Sequence, residues 1–129
     1  MGGARLAAVA LIVPDYDPAI AFFTAIGFRL AEDVPATGMA GPKRWVTVEG
    51  GEMRLVLARA ETAEERAAIG RQWAGRVGLF LRVRDFEGTA RAITAAGGHF
   101  EEAPRREPYG TVAIWRDLWG NRWDLIGPD

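Results

Sequence analysis

No cysteine and no serine occur among the 129 residues, and histidine occurs once, at His99. The first absence removes disulfides, thiolate metal sites and cysteine nucleophiles. The second removes every mechanism that begins with a serine nucleophile. No run of 18 apolar residues exists, so no membrane-spanning helix is expected. The first residues hold one early Arg5 and a short apolar strand that runs into Pro14-Asp15, which is not the layout of a signal peptide. A net charge of −1 gives no pull toward a polyanion or an anionic membrane. Phosphate loops, dinucleotide fingerprints, Gly-x-Ser-x-Gly, His-Glu-x-x-His and basic aromatic stripes are all missing. Neither nucleic acid nor membrane is therefore expected as a partner, and the cytoplasm is the default address.

What is present is ordinary in bulk, with 49% apolar and 26% charged residues. A chain of this length predicts one domain with a real core. Its most informative stretch is near the end, from Tyr109 to Ile126, with three of the five tryptophans. Thr111 to Trp115 is β-branched and aromatic and reads as a strand. Asp117-Leu-Trp-Gly-Asn121 reads as a turn, and Arg122 to Ile126 as the returning strand. Period two puts Trp123 and Leu125 on one face and Arg122, Asp124 and Ile126 on the other. Trp119, in the turn, is expected at the surface or against a partner subunit.

Upstream, Leu6 to Val13 reads as a strand with Val9, Leu11 and Val13 on one face. A helix follows, with Asp17 as its cap, Pro18 at its first helical position, a stripe of Ala19, Phe22, Phe23 and Ile26, and Gly27 as its stop. Strands are expected over Phe28–Val34, Arg44–Val48 and Met53–Ala58, with a loop over Pro35–Pro42. Glu61 to Ala74 reads as a short helix or connector with Thr62 as cap. Val77 to Val83 is a strand, Asp85 caps a helix to Ala96, and Gly97-Gly98 ends it. His99 to Ala103 is a strand, and Pro104 to Pro108 a loop.

The order β-α-β-β-β thus occurs twice. A gap-free shift of seventy positions puts Asp15 on Asp85, Gly27 on Gly97, Trp45 on Trp115, Gly50 on Gly120 and Leu55 on Leu125. The expected fold is α+β: two paired βαβββ modules, residues 5–59 and 75–129 joined by a connector over 60–74, within one domain. Together they form a cup-shaped, strongly curved mixed sheet with helices outside. Equivalent positions of both modules then line the hollow: Ala8 and Gly78, Ala10 and Phe80, Ile12 and Arg82, Arg54 and Asp124, Val56 and Ile126.

This pattern resembles the vicinal oxygen chelate superfamily of glyoxalase I, extradiol dioxygenases and bleomycin-resistance proteins. The resemblance is carried by Val9-Ala-Leu-Ile-Val-Pro-Asp15 through Gly27-Phe28, and by Asp117-Leu-Trp-Gly-Asn-Arg-Trp-Asp-Leu125. In metal-using relatives a divalent ion sits on side chains from the first and last strands of each module. The matching positions here are Ala8, Arg54, Gly78 and Asp124. One carboxylate beside an arginine is no ligand set for such an ion, so neither a metal nor another cofactor is expected. Glyoxalase I and extradiol dioxygenase activities, which need that metal, are disfavoured.

The leading expectation is a metal-independent, bleomycin-resistance-like protein that binds a small apolar or aromatic molecule. Trp45, Phe80, Trp115, Tyr109 and Ile126 would supply apolar wall and rim, and Arg54, Arg82 and Asp124 polarity. Two readings of Arg54 and Asp124 stay open: an ion pair across the cup, or a polar anchor for the ligand. The resemblance implies a homodimer. The alternatives are an enzyme (isomerase, lyase or dioxygenase-like) that acts on a small carbonyl compound with Asp124 as its catalytic acid or base, and an interaction module without a ligand.

Overall fold

Alternating apolar residues followed by capped, striped helices produce the observed order in the computed structural model, which describes residues 2–36 and 43–128. Strand β1 (Val9–Val13) leads into α1 (Tyr16–Ala25), then β2 (Arg29–Pro35), β3 (Arg44–Gly50) and β4 (Met53–Arg59). A short α2 (Ala63–Ala68) lies in the connector. Next come β5 (Val77–Arg82), α3 (Phe86–Ala95), β6 (His99–Phe100), β7 (Arg105–Glu107), β8 (Gly110–Arg116) and β9 (Arg122–Gly127). The expected 35–42 loop falls largely outside the described residues, which stop at Ala36 and resume at Lys43. No helix among the described residues is long and apolar enough to cross a membrane.

The strands form two curved mixed sheets, ordered β1-β4-β3-β2 and β5-β9-β8-β6, with β7 also pairing β8. In each sheet one pair is parallel, β1 with β4 and β5 with β9, and the rest are antiparallel. The free edge of β1 is not bare. The Gln72 side chain accepts from the Ile12 N–H at 2.9 Å and donates to the Ala10 carbonyl at 2.7 Å, standing in for a further strand.

Both long helices end alike. Gly27 and Gly97 take positive φ (111° and 106°), and the next amides, Phe28 and Gly98, reach back to the Phe23 and Ile93 carbonyls. The cap of α1 is Asp15, whose carboxylate accepts from Tyr16 N–H, and not Asp17. Pro18 is therefore the third helical residue, still in the turn whose N–H groups have no helical acceptor. Asp85 and Thr62 cap α3 and α2 as expected. The expected strand over residues 99–103 is shorter, and part of the expected loop pairs as β7. Between β6 and β7, Glu102 reaches in to accept the Ile114 N–H at 2.8 Å.

The core joins both halves. Leu11, Val13, Val46, Val48, Leu55 and Leu57 of the first sheet are covered by Ala19, Phe22 and Phe23 of α1 and by its C-cap residue Ile26. The same helix touches the second sheet. Phe22 lies 6.2 Å from Trp115, Phe23 lies 5.9 Å from Trp123, and Trp119 meets both phenylalanines at 5.9 and 6.1 Å. Trp119 is therefore part of the packing between the halves rather than a surface residue. Each such ring contributes roughly 1.5–3 kcal/mol on burial.

Candidate functional site

With the helix-covered faces committed to this core, the polar residues of interest stand on the opposite, open faces. On the first sheet, Thr47 pairs with Val56 and Glu49 with Arg54, while Glu32 and Val34 pair with Thr47 and Trp45. Glu32 Oε1 accepts from Trp45 Nε1 at 3.1 Å, Thr47 Oγ1 at 3.0 Å and Arg54 at 3.2 Å. Arg54 also donates to Glu49 at 2.8 Å, and Arg29 pairs with the same carboxylate. These arginines hold the Glu49 carboxyl below the ordinary range, Arg29 most strongly. Trp45 remains 44% exposed.

The second open face is built differently. Register places Phe80, Asp124 and Ile114 in one row across β5, β9 and β8, and Arg82, Ile126, Val112 and Arg105 in the next. Asp124, Ile126 and Val112, which share this face, are hidden from solvent. Asp124 is only 9% exposed, and its Oδ1 has no hydrogen-bond partner. Burial pushes its carboxyl up; Arg105 opposes this, while Glu102 and Glu107 add to it. Arg105 is itself taken, donating to Glu107 at 2.8 Å and Glu102 at 3.3 Å. Phe80 beside Asp124 is 65% exposed, Arg82 is exposed, and Tyr109 at the turn before β8 is 54% exposed.

Three expectations change. Trp115 does not face the hollow. It is fully buried, stacked on Trp123 with ring centroids 4.9 Å apart. The cause is the hairpin. Leu55 faces Val48 but Leu125 faces Ala113, so β9 keeps the shift of seventy (125 − 55) while β8 takes sixty-five (113 − 48). An odd difference turns every side chain of β8 to the other face relative to the gap-free shift. Second, Arg54 and Asp124 do not pair. The partners of Arg54 are Glu32 and Glu49, and the charges around Asp124 all come from the second half. Third, the two modules do not line one hollow within the chain. Each open face has its own polar set.

The family's metal positions do not fit a divalent ion. Arg54 is a cation held by two carboxylates, and Gly78 is covered by the Trp73 ring. No group of three or more metal-binding side chains is gathered among the described residues. Sequence reasoning missed Arg105, Glu102 and Glu107, which flank Asp124. They lie in a stretch that reads as a strand end and a loop; the β7–β8 pairing brings Arg105 and Glu107 to this face, and the Ile114 N–H holds Glu102 there. Two grooves of about 550 and 450 Å³ run along α3, over Phe86, Ala90, Arg91 and Pro104. Asp124 lines neither of them.

The family profile of the Glyoxalase/Bleomycin resistance protein/Dioxygenase superfamily matches residues 5–125. An uncharacterised protein of Shewanella frigidimarina (strain NCIMB 400) is 41% identical over 122 residues, spanning 92% of this chain and 89% of its own. Among solved structures, UcmS2 is 30% identical with a TM-score of 0.75, over 95% of this chain and 97% of its own. TnmS3, an antibiotic binding protein from Streptomyces sp. CB03234, is 25% identical with a TM-score of 0.64, over 99% of this chain and all of its own. Motif, topology and profile agree, and the chain belongs to the glyoxalase/bleomycin resistance protein/dioxygenase superfamily.

Proposed function

We propose that this protein binds a small, ring-bearing molecule without a metal, on the recessed open face of its second sheet. The observation that carries the reading is a hidden floor of Val112, Ile126 and Asp124 beside an exposed Phe80. An apolar recess with one convergent polar group is the usual form of a small-molecule site. The antibiotic-binding description of TnmS3 supports a small-molecule ligand. Arg82 and Tyr109 stand at the rim. Because the open faces do not meet within the chain, the opposite wall comes from a second copy. Trp45 and Arg54 of that copy's first sheet then face the recess, and the working unit is a homodimer.

The test is a titration with 2-naphthol, followed by backbone amide shifts in two-dimensional NMR. Shifts should saturate and cluster on Phe80, Ile114, Asp124 and Ile126. Shifts confined to the α3 grooves, or none, would sink the reading. Light scattering should give a particle of twice 14.1 kDa.

A second reading has one observation in its favour. The raised carboxyl of Asp124 is suited to taking or giving a proton beside a small carbonyl compound, as an isomerase or lyase requires. In that case Asp124→Asn would abolish turnover and leave substrate binding in place.

A further inference from the structure

Asp124 differs from the other carboxylates of its face in making no ion pair: Arg105 is near enough to oppose its upward shift but is bonded to other partners. Glu102 and Glu107 share Arg105, and Glu101 holds Arg116 and Arg122. Arg82, in the next row, is exposed. The residue is nine-tenths hidden, and its Oδ1 is buried without a donor. A buried acceptor left unmatched is costly, and an ionised one more so. Phe80 and Ile114 flank it on the adjacent strands, an aromatic ring on one side and an aliphatic side chain on the other.

We infer that the ligand of this face carries a protonated nitrogen next to its ring, and that the ammonium seats on Asp124. The inference rests on the proposed small-molecule reading and narrows it to cationic, amine-bearing aromatics. A neutral hydroxyl supplies the missing donor without the missing charge. An anionic group meets three carboxylates, Asp124, Glu102 and Glu107, with the one nearby arginine already engaged. The order of affinity is thus set by the headgroup and not by the ring.

Three probes with one ring separate these cases: 2-naphthylmethylamine, 2-naphthylmethanol and 2-naphthoate, each titrated at neutral pH by calorimetry. The amine should bind at least about tenfold more tightly than the alcohol, and the carboxylate most weakly. Asp124→Asn should bring the amine down to the level of the alcohol, while the alcohol changes by less than about twofold. If that variant does not fold, the headgroup order in the unmodified protein decides alone. Binding of the carboxylate as tight as that of the amine, or an amine affinity unmoved by Asp124→Asn, overturns this inference and leaves the small-molecule reading standing. If none of the three binds, both fall.

Discussion

Two carboxylates of the last hairpin share one strand neighbourhood and differ in company. Asp117 is buried, but it receives the amides of Trp119 and Asn121, the Asn121 side chain and Trp123 Nε1, all at 3.0–3.3 Å. It organises the turn. Asp124, the third residue of β9, has no such donors, and burial raises its folded carboxyl above the ordinary 3.8. The sign of its effect on stability follows. Between the unfolded and the raised folded value the folded state holds more protons, so stability falls as pH rises across that window. Asparagine carries no such penalty. Asp124→Asn should therefore melt higher than the parent at pH 7, by about 1 kcal/mol or a few degrees. The gap should narrow as pH drops toward about 4. An equal gap at both pH values in thermal melts would show that charge is not the cause. The tryptophans make a second contrast. Trp115→Ala empties a fully packed site and should cost about 3–5 kcal/mol in urea unfolding. Trp45→Ala, on an open face, should cost under about 1 kcal/mol.

The elements explain why much of the architecture was readable and part of the site was not. Apolar alternation, caps at Asp85 and Thr62 and stops at Gly27 and Gly97 are local signals, and local hydrogen bonds bear each of them out. The facing of β8 is not local. It depends on a turn of two residues after Gly50 against five after Arg116, and parity alone sends Trp115 inward. Arg105 likewise reads as loop until β8 is there to pair with it. The same limit hid Gln72, a connector glutamine whose amide closes the edge of β1. Gln72→Ala should cost about 1–2 kcal/mol and speed amide exchange at Ile12 well beyond that at Leu11. Unchanged exchange at Ile12 would mean that the edge does not depend on this side chain.

At the scale of the molecule, the two halves share one interior. Phe22 and Phe23 of α1 cover the first sheet and also meet Trp115, Trp119 and Trp123 of the second. Removing either half would strip aromatic partners from the core of the other. Heating should therefore give one transition, with calorimetric and van't Hoff enthalpies equal. A Phe22→Ala/Trp119→Ala double-mutant cycle should show coupling of about 0.5–1.5 kcal/mol. Two resolved transitions, or additive single effects, would contradict a shared interior. The Trp115–Trp123 stack, at 4.9 Å and 20° between planes, has an optical consequence. Indoles this close share their electronic transitions and give a paired positive and negative band in far-ultraviolet circular dichroism. The molecule thus carries a built-in colour signal for the closing of its last hairpin, one that needs no label and no ligand to be read.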